Sequence, residues 1–204
     1  PTILFSLIGN HKDVRKAVSS DFKTPGDRIY LCGESHQELG ASEIAYMLRD
    51  ETRGQSGIGG RIPEIDTTRN LALYRALTEA MQKELVSSAH DCSDGGLAVA
   101  ISECCFGSDS GARVDVSPIM YDCNQIEPWG AMFGESLGRI LVSVKPENSE
   151  AFENSMTGNA CYFLGVVEAG DTISVNNGDT KLISTSMSTL RKAWKETLDG
   201  GGPQ

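Results

Sequence analysis

Short apolar runs that end in turns and alternate with segments of helical period are the feature that most constrains how this chain folds. Runs typical of strands lie at Arg28–Cys32, Arg139–Val144 and Cys161–Val167, and helical periods follow Asp66 and Gly96. Strands and helices interleave without a strict βαβ rhythm. We therefore expect an α+β fold, in which a mixed β-sheet is covered by helices.

The same reading along the chain places the other elements. Turn signals separate the apolar runs, and Asn176–Asp179 is typical of a hairpin turn. Asp66 is a candidate N-cap for a long helix. Further strands are expected at 2–8, 112–116, 172–175 and 181–184, helices at 11–19, 40–48, 66–87, 96–106, 147–156 and 190–198, and a loop at 51–63.

Length and charge limit the classes of partner. The chain has 204 residues, a formal net charge of −10 and a pI of about 4.8. An acidic surface repels nucleic-acid phosphates, so we expect no nucleic-acid partner, although a local basic patch would still accept a small phosphorylated metabolite. No apolar run reaches the roughly 18 residues of a membrane span, and no signal peptide is recognisable, so we expect no membrane partner.

The cysteines carry no metal-binding pattern. Six cysteines occur, at positions 32, 92, 104, 105, 123 and 161, without a CxxC pair or the spacing of zinc ligands. This pattern favours reduced thiols packed as small apolar side chains, and hence a cytoplasmic location. The chain begins with proline instead of methionine, which indicates a piece of a longer protein.

The sharpest motif is His90–Leu97, which reads His-Asp-Cys-Ser-Asp-Gly-Gly-Leu. Two glycines that open a helix can present backbone N–H groups at its positive end, where an anion is favoured. Asp91 and Asp94 offer the carboxylates that Mg²⁺ prefers. A second interpretation fits equally well: Asp94 caps the helix, the glycines permit tight packing, and His90 is a satisfied core histidine.

A second motif, Phe133–Arg139, places a Gly-Glu-Ser turn before a strand. Such a turn can bring Glu135, Ser136 and Arg139 to one rim of a sheet, where Ser136 would bind a ligand hydroxyl or phosphate. The alternative is an ordinary strand entry with an exposed pair between Glu135 and Arg139.

Two further stretches are less informative. Gly33–His36 is either a binding loop or simply the turn that connects a strand to a helix. Gly57–Asp66 matches neither a dinucleotide-binding fingerprint nor a P-loop, since no Gly-Lys-Ser/Thr is present and no strand precedes it at the right spacing. We expect a loop there. No nucleophile–base pair is recognisable, so no catalytic residue is assigned.

The stretches Leu31–Glu34, Glu38–Glu43, His90–Leu97 and Phe133–Arg139 resemble phosphoribosylformylglycinamidine synthase in sequence and in order. The resemblance covers nearly the whole chain. That family is similar to aminoimidazole ribonucleotide synthetase and belongs to the same ATP-dependent superfamily. The resemblance implies a three-layer α/β/α domain like the C-terminal domain of aminoimidazole ribonucleotide synthetase.

The resemblance also implies a domain division and an activity. Residues 1–25 would be the end of a preceding nucleotide-binding domain, and residues 26–204 the C-terminal α/β domain. The whole enzyme would be a C–N ligase of purine biosynthesis that uses ATP, Mg²⁺ and glutamine-derived ammonia to convert formylglycinamide ribonucleotide. Its partners would be the preceding nucleotide-binding domains and a glutaminase subunit or domain. The fragment alone would be inactive.

Residue by residue, the resemblance implies a binding site. Asp91 would be the counterpart of the family's magnesium aspartate. Glu64 falls near a substrate-binding glutamine from which it departs, so this copy of the site would be auxiliary. The nucleotide- or phosphate-binding residues would be Ser93, Asp94, Gly95, Gly96, Glu135 and Ser136.

Two alternatives remain open on the sequence. The chain would be a structural or dimerisation module that braces the catalytic half, or it would belong to another branch of the superfamily, similar to selenophosphate synthetase or to the hydrogenase-maturation dehydratase.

Overall fold

The strands of this chain form one mixed sheet. The computed structural model describes residue 4 and residues 6–49, 60–122 and 126–196. Within those residues the strands are β1 (Arg28–Cys32), β2 (Ser88–Asp91), β3 (Ser110–Asp115), β4 (Ile140–Val144), β5 (Cys161–Ala169), β6 (Thr172–Asn177) and β7 (Thr180–Ser186). Their spatial order is β2-β4-β1-β5-β3-β6-β7, and every neighbouring pair is antiparallel except β3 and β6.

Helices cover both faces of the sheet. They are α1 (Glu43–Met47), α2 (Thr67–Gln82), α3 (Gly96–Phe106), α4 (Ser117–Asp122), α5 (Pro128–Phe133), α6 (Ser149–Ser155) and α7 (Met187–Glu196), with 3₁₀ turns at Val14–Lys16 and Pro146–Asn148. The mixed sheet between two helical layers confirms the predicted α+β fold with three-layer α/β/α architecture.

Strand β1 shows why the sheet has a core on each face. Its alternate residues Ile29 and Leu31 belong to a cluster with α3 and α5, whereas Tyr30 and Cys32 belong to a cluster with α2 and α6. All four side chains are at most 1% exposed. A strand covered on both faces reads as a continuous apolar run instead of an alternating one, which is the pattern of Arg28–Cys32.

Helix α3 has the bounds expected from the sequence, whereas α2 begins where expected but ends at Gln82 instead of near residue 87. Helix α3 buries Leu97, Ala100, Ile101 and Cys104, which fall on one face at the helical period. Helix α2 begins after Asp66, whose Oδ1 accepts hydrogen bonds from the N–H groups of residues 68 and 69 at 3.0 Å each. The Asp66 side chain thus provides acceptors for N–H groups of the first helical turn, which have no backbone acceptor within the helix.

Three predicted elements differ from the structure. In the strand expected at 2–8, described residues 4 and 6–8 have no regular structure, and Leu4, Leu7 and Ile8 are at least 90% exposed. An apolar run forms a strand only where a neighbouring strand pairs with it, and none of the described residues does so here. The helices expected at 11–19 and 40–48 shorten to Val14–Lys16 and Glu43–Met47.

The loop expected at 51–63 lies outside the described residues at 51–59, and residues 61–63 have no regular structure. The division at residue 25 stays a prediction, although Phe22 is only 1% exposed and its N–H bonds to the carbonyl of Cys104 at 2.9 Å. Among the described helices, none is both long enough and apolar enough to cross a bilayer.

We expect Phe152→Ala to lower the free energy of unfolding by about 3–5 kcal/mol, because it empties a fully buried site beside Tyr30. Chemical denaturation followed by circular dichroism measures this loss. Tyr121→Ala is the matched control, since that ring is 88% exposed and its removal is expected to change the free energy of unfolding by less than about 0.5 kcal/mol. Equal losses in the two variants would contradict the assigned core.

Candidate functional site

Three chain segments that the sequence analysis singled out meet at one edge of the sheet. Asp91, at the end of β2, pairs with Ile140 at the start of β4, and Cys32, at the end of β1, pairs with Ile140 from the other side. The N–H of Cys92 also bonds to the carbonyl of Arg139 at 3.0 Å. The turn after β2, the loop before β4 and the loop after β1 are therefore neighbours.

The two glycines before α3 adopt backbone conformations that favour glycine. Gly95 has φ +77° and Gly96 has φ +66°. A Cβ at Gly96 would lie 2.5 Å from the carbonyl oxygen of Gly134, so a side chain there would separate α3 from the loop before β4. The glycines thus serve tight packing, as the second interpretation of this motif proposed, and they also place the N–H groups of the first helical turn at the site.

Glu135 lies at the N-termini of two helices. Its Oε1 accepts hydrogen bonds from the N–H of Gly95, at 2.9 Å, and from the N–H of Glu43, at 3.0 Å. Gly95 is the N-cap of α3 and receives no side-chain cap of its own. The expectation that Asp94 caps α3 is therefore wrong, because a carboxylate 40 residues away does so. The Glu135 carboxylate occupies a position where the helix dipole favours negative charge.

Arg139 is buried, which corrects the expectation of an exposed pair with Glu135. The side chain is 1% exposed, and its guanidinium donates to the hydroxyl of Ser35 at 3.1 Å, to the carbonyl of Ser136 at 3.3 Å and to the carbonyl of Gly134. A buried cation requires such acceptors, since each lost hydrogen bond would leave it desolvated without compensation. Arg139 thus fixes the loop before β4 against the loop after β1.

Ser136 also makes a hydrogen bond inside the protein. Its side chain is 1% exposed, and its Oγ accepts a hydrogen bond from the N–H of His36 at 3.0 Å. The structure thus brings Ser136 to the predicted rim, but behind the surface instead of on it.

Asp91 and Ser93 form the exposed part of the turn. The hydroxyl of Ser93 donates to the Asp91 carboxylate, and this hydrogen bond is the main reason that the pKa of Asp91 lies below its ordinary value. The Asp91 side chain is 75% exposed, so it is a charged and accessible oxygen ligand at neutral pH. Its neighbour His90 is mostly buried, with Nε2 3.2 Å from Glu103 and Nδ1 2.6 Å from the carbonyl of Asp91. His90 therefore agrees with the interpretation of a satisfied histidine.

An open cavity of about 420 Å³ collects most of the predicted site residues. Of the predicted set, Asp91, Ser93, Asp94 and Glu135 line it, Gly95 and Gly96 begin the adjoining helix, and Ser136 is not part of the wall. The other walls come from Pro63, Tyr74, Cys92, Leu137, Gly138, Arg139 and Ile140. Burial raises the pKa of the Cys92 thiol to about 11, so this wall residue is a neutral thiol and not a nucleophile.

The donor set fits a divalent cation only in part. Within the described residues, no three or more His, Cys, Asp or Glu side chains converge to hold a metal ion. Mg²⁺ is commonly bound through one or two carboxylates together with water and substrate phosphates. Asp91, with Asp94 beside it, meets that smaller requirement, so a metal here depends on a phosphate-bearing ligand for its remaining contacts.

Glu38 is a polar residue that sequence reasoning did not single out. It is fully buried, its Oε1 accepts the N–H of Glu64 at 3.1 Å, and its Oε2 has no hydrogen-bond partner among the described residues. Glu38 and Glu64 line a separate cavity of about 430 Å³. Glu64 therefore does not share the cavity of Asp91. In the sequence, Glu38 only begins one of the stretches that carry the resemblance, and an acidic residue next to Leu39 does not by itself indicate burial.

We expect Ser93→Ala to raise the pKa of Asp91 toward its ordinary value, because the substitution removes the hydrogen bond that lowers it most. Since the folded pKa is lowered, the Asp91 carboxylate stabilises the fold above an ordinary aspartate pKa of about 3.9, and that contribution is lost as the pH falls through the folded value. Carboxyl ¹³C chemical shifts followed by NMR measure the titration. Ser155→Ala, far from the turn, is the control, and an unchanged Asp91 titration in Ser93→Ala would refute the assigned cause.

The fold of this chain is also seen in solved structures. It is similar to Thermotoga maritima PurL complexed with FGAR, with a TM-score of 0.76 and 20% identity over 87% of this chain and 30% of that one. It is similar to phosphoribosylformylglycinamidine synthase II from T. maritima, with a TM-score of 0.71 and 19% identity over 87% of this chain and 28% of that one. The chain thus spans less than a third of these proteins.

A more distant likeness is to E. coli HypE, a hydrogenase maturation protein, with a TM-score of 0.57 and 14% identity over 83% of this chain and 52% of that one. At these identities the structures show a shared fold. The family itself is shown by sequence, because residues 24–176, more than half of the chain, match the family described as AIR synthase related protein, C-terminal domain. This chain belongs to that family.

Proposed function

We propose that this chain is the C-terminal domain of an ATP-dependent phosphoribosylformylglycinamidine synthase. The observation that carries the proposal is the cavity lined by Asp91, Ser93 and Asp94, the residues that lead into α3. The family match and the likeness to T. maritima PurL support it. T. maritima PurL has been solved in complex with FGAR and with ATP, which are the substrates that this proposal assigns.

In this proposal the whole enzyme is a cytoplasmic C–N ligase of purine biosynthesis. ATP phosphorylates the formylglycinamide oxygen, and ammonia that a glutaminase partner releases from glutamine displaces the phosphate. This chain contributes no catalytic residue and is inactive alone. The structure of PurLQS from T. maritima, to which this chain is similar, supports such an assembly. Residues 1–25 belong to the preceding nucleotide-binding domain.

Asp91 is the proposed metal ligand. Its carboxylate is accessible, and its lowered pKa keeps it ionised at neutral pH. Bound Mg²⁺ would neutralise charge on the phosphates of a nucleotide. Within this chain, Ser93 orients the Asp91 carboxylate through its hydrogen bond, and Asp94 lines the same cavity.

The proposed phosphate contacts are Ser93, Asp94, Gly95 and Gly96, with Glu135 and Ser136 behind them. A ligand phosphate at the start of α3 competes with Glu135, whose Oε1 already accepts the N–H of Gly95. A direct contact with Ser136 requires exchange of its hydrogen bond to His36. We therefore propose that this copy of the site is auxiliary and binds nucleotide weakly.

The second candidate function is a structural module that braces the catalytic half. The specific observation in its favour is that Glu135, Ser136 and Arg139 all make internal hydrogen bonds. In that case the glycine turn exists for packing, and the cavity has no ligand. The likeness to HypE keeps another branch of the superfamily as a further alternative.

We expect Asp91→Asn with Asp94→Asn to abolish Mg-ADP binding to the chain alone, and to remove one Mg-ADP site from a full-length synthase while its catalytic nucleotide site is kept, as measured by isothermal titration calorimetry. Both side chains are exposed at the cavity, so the thermal melting midpoint is expected to stay within about 2 °C of the unsubstituted protein. Asp179→Asn, an exposed aspartate of the β6–β7 turn, is the matched control and should bind normally.

The other outcomes decide against the binding role. An equal number of Mg-ADP sites in the full-length protein with and without the two substitutions would show that Asp91 is not a metal ligand. A lowered melting midpoint with unchanged binding would support the structural module.

A further inference from the structure

Two cysteines face each other across the central strands of the sheet. Cys32, the last residue of β1, is paired in register with Cys161, the first residue of β5. Their Sγ atoms are 3.8 Å apart, which is van der Waals contact. A disulfide needs an S–S distance of about 2.05 Å, so the sulfurs would approach by about 1.8 Å.

The hydrogen-bond pattern places these cysteines in the favourable kind of cross-strand pair. The next residues along, Gly33 and Ala160, are joined by a bond from the N–H of Gly33 to the carbonyl of Ala160 at 2.9 Å. Hydrogen-bonded and non-hydrogen-bonded pairs alternate along an antiparallel ladder, so Cys32 and Cys161 form a non-hydrogen-bonded pair. In such pairs the Cα atoms are about 4.5 Å apart, which is inside the range that disulfides span.

The two thiols differ in access to solvent. Cys32 is completely buried, whereas Cys161 is partly exposed. Three other described cysteines, Cys92, Cys104 and Cys105, are buried, and burial raises the pKa of each thiol. Among the cysteines that the structure describes, Cys161 is therefore the one that an oxidant in solution reaches first.

We propose that Cys32 and Cys161 are a thiol–disulfide site that a small disulfide oxidant closes. The Cys161 thiolate attacks the oxidant, forms a mixed disulfide and releases one thiolate of the oxidant. The Cys32 thiolate then attacks the Cys161 sulfur and displaces the second thiolate. The two cysteines together lose two protons and two electrons, and the oxidant is reduced to two thiols.

Closure would act on the loop that follows β1. Cys32 is followed by Gly33, and an added Cβ at Gly33 would lie 3.0 Å from the Cα of Arg139. Ser35 in the same loop accepts a hydrogen bond from Arg139. The disulfide thus ties this loop to β5. The hydrogen-bonded contact with Cys161 and burial both raise the pKa of Cys32, so closure is expected to be faster at about pH 8.5 than at about pH 7.

The test is incubation of the folded chain with oxidised glutathione, followed by intact mass and by peptide mapping after alkylation in denaturant. The unsubstituted chain is expected to lose about 2 Da, to yield a linked peptide pair containing Cys32 and Cys161, and to fall from six titratable thiols to four. Cys32→Ser is expected to stop at the mixed disulfide, with a gain of about 305 Da on Cys161. Cys161→Ser is expected to form neither product.

Cys105→Ala is the matched control and should close as the unsubstituted chain does, because Cys105 is outside the pair. Recovery of Cys32 and Cys161 both alkylated after oxidation would overturn the proposal, as would a stable glutathione adduct on Cys161 in the unsubstituted chain. The peptide map of the unsubstituted chain decides the matter even if a substituted chain fails to fold.

Discussion

The buried guanidinium of Arg139 holds together the edge of the sheet on which the site depends. It bonds to the hydroxyl of Ser35 in the loop after β1 and to the carbonyls of Gly134 and Ser136 in the loop before β4. Burial of a charge is costly unless acceptors surround it, so these loops have little freedom to move apart without exposing or desolvating it. The two loops are in this way coupled to one side chain.

The position of Glu135 follows from that arrangement. Gly134, which accepts a hydrogen bond from Arg139, also approaches Gly96 so closely that only glycine fits there. The next residue, Glu135, then reaches the N–H groups of Gly95 and Glu43. The Glu135 carboxylate thereby provides a hydrogen-bond acceptor at the start of α3. Its negative charge also lowers the attraction of that helix end for a second anion.

Most strands and helices are predictable from the sequence because their signals are local, but β2, α4 and α5 were not predicted. The continuous apolar run of β1 and the cap and period of α2 are recorded within a few residues. Asp91, Ser93, Asp94 and Glu135, which the resemblance grouped as binding residues, line one cavity, while their binding roles stay a prediction. The capping of α3 by Glu135 and the burial of Arg139 were missed, because both depend on contacts between residues 40 or 104 positions apart. Likewise, the apolar run at 2–8 predicted a buried strand, but the sequence does not show which neighbouring strand would pair with it.

The chemistry of the cavity argues that its ligand is defined jointly with another surface. Asp91, which Ser93 orients, and Asp94 beside it supply too few oxygen atoms to complete a magnesium coordination sphere alone. At the nearest helix end, Glu135 already accepts the N–H of Gly95, so a phosphate there would compete with it. Under the proposed function, a ligand bound at Asp91 would therefore bring phosphate oxygens and receive further contacts from outside this chain. That requirement agrees with a domain that spans less than a third of the solved proteins it resembles.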